Sequence, residues 1–160
     1  MQALLMDPAI RNDLRVLLIS EAGGVETFAA AERFAKNPGE RTMWGALHAL
    51  EVKTRAAVYE HLGEVTAQFR LCERTAELLG QAGGIGLAHL PPRIQLRTLS
   101  AGTKAFLPTF ERLQNRFRGT DLETFFAFVV AHENAIAEVG RRGLASLPGH
   151  LDPVNELLGP

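Results

Sequence analysis

The chain has one cysteine, one tyrosine and one tryptophan among 160 residues, and each shortage excludes something. Cys72 alone cannot build a disulfide framework or a cysteine-based zinc site, and a solitary thiol suits a reducing compartment. Neither sign of charge dominates: 17 Lys and Arg stand against 18 Asp and Glu, a net charge of -1, so bulk charge recruits neither nucleic acid nor an anionic membrane. No apolar run approaches the roughly 18 residues of a membrane span. The opening stretch MQALLMDPAIRNDL lacks a basic segment and is interrupted by Asp7, Pro8 and Arg11, which makes it a poor secretory signal. The expectation is a soluble cytoplasmic protein, one domain over residues 1–160, with no nucleic-acid and no membrane partner.

Strand signals are also scarce, because sustained alternation of period two is missing and Ala, Leu, Glu and Arg fill the periodic segments. The sequence predicts an all-α antiparallel four-helix bundle, with helices at about 9–36, 40–79, 96–118 and 121–144. A crossover over 80–95 joins two helical hairpins, and 145–160 forms an ordered tail. Gly23 and Gly24 predict a kink, a split or a close helix contact in the first helix, with the kink preferred. Gly80 to Arg93, with four glycines and two prolines, reads as a flexible connection. Its Gly-Gly-Ile-Gly is no phosphate loop, since no strand precedes it and no Gly-Lys-Ser/Thr follows. Asp121 reads as the cap of the last long helix.

What the sequence does contain is acid in apolar company. At about 100° per residue, Met43, Trp44, Leu47, Leu50, Thr54, Val58, Leu62 and Val65 share a face, and Glu51 lies within that arc. Glu133 lies within the arc of Phe126, Val129, Ile136 and Gly140. A carboxylate in an apolar core needs a partner, a proton or a cation. With the Pro38-Gly39 turn as centre, Glu26 and Glu51 are each roughly 12 to 13 residues away and share a level. Glu133 stands about as far beyond the Gly119-Thr120 turn. His48, one turn before Glu51, is the histidine placed to join them, whereas His132 points about 100° from Glu133. Ser20, Cys72 and the five histidines form no nucleophilic constellation, so no reaction is assigned.

Glu26 in VETFAAAERFA, Glu51 in LHALEVKTRAAVYEHL and Glu133 in FVVAHENAIAEVG, with a long crossover between hairpins, resemble the ferritin-like, rubrerythrin-related four-helix bundles. That family holds two iron or manganese ions with one Glu on each of two helices and Glu-x-x-His on each of the other two. Thr54 and Ile136 stand here where the histidines would, and the third helix lacks its acid. The resemblance therefore implies a reduced carboxylate site in which Glu26, Glu51, Glu133 and His48 hold one divalent Fe, Mn or Zn ion. The alternative is a metal-free descendant acting as a homodimerisation, partner-binding or small apolar ligand-binding module, with Phe28, Phe69, Leu71 and Phe128 exposed.

Overall fold

The computed structural model describes residues 7–159, so the first six residues of the opening stretch read as a poor secretory signal lie outside them. The described residues are all-helical: α1 Pro8–Arg33, α2 Pro38–Thr66, α3 Arg70–His89, α4 Pro92–Arg116, α5 Glu123–Leu144 and the short α6 Asp152–Leu158. None of these helices is long and apolar enough to cross a membrane.

Capping chemistry sets the α1–α2 corner. Asn37 accepts from the Glu40 amide at 2.9 Å, and the Glu40 carboxylate accepts from the Lys36 amide at 3.0 Å. Two free donors are thereby satisfied reciprocally, and Pro38 occupies the first turn, where its missing N–H costs nothing. The corner therefore centres on Lys36 rather than on Pro38-Gly39, which shifts the pairing of the two helices.

α1 packs against α2, α3 and α4, α4 packs against α5, and α5 returns to α2. The bidentate pairing of Arg112 with Asp13, at 2.8 and 3.1 Å, ties α4 to α1 at the surface. The apolar interior falls into two clusters. One gathers Leu14, Leu17, Val58, Leu62, Phe110, Phe117 and Phe126, and the other Phe28, Trp44, Leu47, Leu50, Leu99, Ile136 and Val139. α6 lies on α2 and α5, with Val154 buried and Lys53 donating to the carbonyls of Leu157 and Leu158.

Several sequence expectations are corrected here. A single helix over 40–79 does not form: Leu62 leaves helical geometry (φ -123°, ψ 17°), and the chain breaks at 67–69 before α3 begins. The glycine-rich stretch expected as a flexible crossover is helical to His89, and only Leu90 and Pro91 separate it from α4. Asp121 does not cap α5, which starts at Glu123 without a side-chain cap. Phe28 and Phe69 are buried and Phe128 is half-buried, leaving Leu71 as the exposed member of that set.

Close packing explains why a glycine-rich segment stays helical. Gly80 and Gly84, one turn apart, are buried against the backbone of α1. A methyl on Gly80 would strike the Gly23 carbonyl oxygen, and one on Gly84 would strike that of Thr27. α1 runs unbroken through Gly23-Gly24, so these glycines serve a close helix contact and not a kink. The Thr27 hydroxyl, 2.7 Å from the Gly23 carbonyl and 3.2 Å from that of Gly80, sits in the same seam. Tyr59 donates to Glu73 at 3.0 Å and Arg55 pairs with Glu77, which ties α3 to α2 as well.

Gly80→Ala or Gly84→Ala should lower stability by about 1–3 kcal/mol or more through overpacking. At Gly83 and Gly86 an added methyl meets nothing within 4 Å, and alanine there should raise stability by up to ~1 kcal/mol through helix propensity. Denaturant midpoints check this, and similar effects at all four positions would refute the close-packed seam.

A buried acid–histidine layer as the candidate functional site

Heptad-like spacing delivers the site residues. On α1, Ile10, Leu14, Leu17, Glu21, Gly24, Phe28 and Ala31 follow steps of four and three, and on α2 so do Trp44, Leu47, Glu51, Thr54 and Val58. Such positions line one inward seam. Glu21 and Glu51 stand fifteen residues on either side of Lys36, so the capped corner puts them at equal height. α5 contributes His132, in step with Phe125, Val129, Ile136 and Val139, and Glu133 beside it.

The layer is dry. Exposure is 2% for Glu21, 5% for Glu51, 0% for His132 and 6% for Glu133. His132 Nε2 lies 3.4 Å from Glu51 Oε1, and its Nδ1 lies 3.8 Å from Glu21 Oε1. Among the described residues, both imidazole nitrogens and Glu21 Oε2 have no hydrogen-bond partner, a costly arrangement for buried polar atoms. Ligand atoms of Glu21, Glu51 and His132 can be chosen within 4.8 Å of one another. The Thr54 hydroxyl donates to Leu50 and the Tyr59 hydroxyl to Glu73, so neither serves the acids.

Gly24 makes room for this layer. A methyl there would come within 2.6 Å of Glu51 Oε2. Beside the acids opens a cleft of about 380 Å³, lined by α1, α3 and α4, with Glu21, Glu51 and Glu133 on its floor and, among the described residues, no lysine or arginine in its walls.

Burial pushes the Glu51 carboxyl up to about 8 despite a hydrogen bond with Glu21 that favours its charged form. Burial likewise lifts Glu133 to about 7, opposed by the neighbouring His132 and reinforced by Glu51. Glu21 rises well above the ordinary carboxylate range, through burial first and then, against the pull of His132, through Glu51 and Glu133. Desolvation thus outweighs the local attractions, and the metal-free layer holds protons at neutral pH.

Of the residues singled out from sequence, Glu51 lies in the layer and Glu133 at its cleft-facing edge. Glu26 and His48 lie elsewhere. Glu26 is half-buried in a surface groove with Arg74, Glu77 and Gln81, and His48 Nδ1 faces Glu32 Oε2 at 3.4 Å. The displaced turn centre accounts for Glu26, since moving the corner to Lys36 exchanges it for Glu21. His132 was passed over because adjacent helical residues diverge by about 100°; α5 is buried broadly enough to bring both neighbours inward. The four-three stripe through Ile10, Leu14, Leu17 and Phe28 was the available signal for Glu21.

Comparison with family models, curated proteins and solved structures finds no match to this chain.

An acid raised from 4.5 in the unfolded chain to about 8 in the fold binds more protons when folded. Its stabilising contribution is complete below the unfolded value and is lost as pH rises through the folded one. Chelator-treated protein should therefore melt at progressively lower temperature as pH goes from 5 to 8.5, and Glu51→Gln should flatten that profile. A melting temperature that climbs over this interval would contradict the protonated layer.

Proposed function

We propose that this chain is a divalent-metal-binding helical protein of ferritin-like kinship, holding one ion between Glu21, Glu51 and His132 with Glu133 alongside. The carrying observation is the unpaired layer itself: three acids and an imidazole, all buried, with three orphaned polar atoms and no basic side chain lining the adjoining cleft. A cation answers each of these at once.

The donor set supports the fit. Three atoms within 4.8 Å of one another have a common point about 2.8 Å or less from each, at most ~0.6–0.8 Å beyond the ~2.0–2.2 Å bonds of zinc to nitrogen and oxygen. Carboxylate and imidazole suit Mn(II), Fe(II) and Zn(II), without the thiolate that marks softer sites. His132 can give one nitrogen to the ion and donate its other N–H to a glutamate, the pairing that orients metal-bound histidines. With one imidazole and no Glu-x-x-His pair, the layer supports one ion better than two. Such an ion supplies Lewis acidity or, as iron or manganese, one-electron chemistry.

The ring of contacts α1–α2–α5–α4–α1 supports a four-helix bundle beneath this site, with α3 laid over α1 in place of an open crossover. For self-association the support is narrower: Leu71, Leu78 and Ile85 recur every seven residues on the exposed side of α3. A monomer at all concentrations in sedimentation equilibrium would remove that second reading.

Protein purified without chelator should carry close to one equivalent of Mn, Fe or Zn by elemental analysis. Adding that metal to stripped protein should raise the melting temperature, with apparent affinity increasing from pH 6 to 8 as the acids release protons. His132→Ala and Glu21→Gln should each weaken binding by tenfold or more. Absence of a stoichiometric metal, together with a melting temperature indifferent to all three ions, would overturn the proposal.

A further inference from the structure

The cleft beside the acid layer is larger than one ion needs. At about 30 Å³ for each water-sized group, its roughly 380 Å³ accommodates about a dozen non-hydrogen atoms, within the range of small-molecule sites. Its walls are nearly all apolar, and polarity gathers at the floor. Exposed Leu79 on α3 and Thr98, Gly102 and Phe106 on α4 line its outer part, while Glu21, Glu51 and Glu133 close the inner end. The outer rim is thus shared by two helices that pack on α1.

We propose that this cleft binds a slim, unbranched apolar molecule of about ten to twelve non-hydrogen atoms, its tail between α3 and α4 and its polar end, neutral or cationic, against the acid layer. The inference shares the acid layer with the ion reading but takes the placement of that polar end from the metal-free acids, and the apolar walls stand apart from both. Charge complementarity decides the end group. No lysine or arginine lines the cleft, so an anionic head would meet acids without a counter-charge in the metal-free protein, whereas a hydroxyl can donate to a glutamate and an ammonium can pair with one. The straight shape follows from the small residues along the walls, Gly23 and Gly24 on α1, Ala76 and Gly80 on α3 and Gly102 on α4.

Gly102 offers a clean test, because a methyl built there meets nothing within 4 Å while the residue sits midway along the wall between Thr98 and Phe106. Phenylalanine at this position fills the cleft from an exposed site and removes a glycine from a helix interior, which favours folding. Calorimetric titration of metal-free protein with n-decanol, n-decylamine and decanoate should give one saturable site for decanol and decylamine, with decanoate at least tenfold weaker. Trp44 supplies a second readout, since it stacks on Phe28 at 5.8 Å between ring centres and Phe28 lines the cleft. Gly102→Phe should weaken decanol and decylamine at least tenfold with unchanged helical circular dichroism and unchanged metal stoichiometry, and Gly102→Ala should bind as the parent does. Lack of saturable binding by decanol and decylamine, affinity untouched by Gly102→Phe, or tightest binding of decanoate to the metal-free protein would each overturn the proposal. Metal content of the same preparations before stripping separates the two ideas: metal bound without decanol sinks the cleft inference alone, and decanol bound without metal sinks the ion reading alone.

Discussion

Burial of carboxyl groups without a basic partner is the constraint around which the rest of the molecule is arranged. Glu21, Glu51 and Glu133 lie between the two apolar clusters, and His132, itself short of hydrogen-bond partners among the described residues, stands beside them. Transferring charge into such surroundings costs several kcal/mol per ion even after relaxation. The fold meets that demand with protons, and the geometry leaves room for a cation to replace them. Trp44 and Phe28 on one side, Phe110 and Phe126 on the other, bury the layer, so the same hydrocarbon that drives folding also raises the acids' proton affinity.

The level at which the acids meet depends on a corner far from them. Asn37 and Glu40 close the α1–α2 turn around Lys36, and a shift of the turn centre by two or three residues would have paired Glu51 with another residue of α1. Register in an antiparallel helix pair is a property of the loop, so a capping interaction some fifteen residues away decides which side chains face each other in the interior. α3 adds a second constraint. Its glycines let two backbones approach closely, and the chain thereby covers α1 with a helix where an open connection would leave its Gly23-Gly24 surface bare.

All-helical character and the interior location of Glu51 and Glu133 were legible in the periodicity of the apolar residues. What was less legible depended on three-dimensional register or on packing without side chains. Glu26 looked right because Pro38-Gly39 is the most turn-like dipeptide of the corner, yet Asn37 and Lys36 set its centre. Glu21 stood in a four-three stripe that the contiguous apolar residues Val16–Ile19 disguised. The continuation of the Arg70–His89 helix beyond residue 79 was hidden by glycines whose ordinary meaning is flexibility; only the neighbouring carbonyls of Gly23 and Thr27 reveal that the missing side chains of Gly80 and Gly84 are a packing requirement. His132 was hidden by its neighbour, since a face assigned to Glu133 leaves no place for the preceding residue unless the helix is surrounded.

The separation of the interior into two hydrocarbon masses has a consequence for motion. A continuous core opens as one unit, but here the strongest cohesive regions lie above and below a polar seam, joined mainly by the long rods that cross it. Each half can loosen its outer end while the other stays intact, and the seam becomes the plane across which that breathing is decoupled. A group bound in the middle would act as a rivet, making two partly independent halves respond as one body.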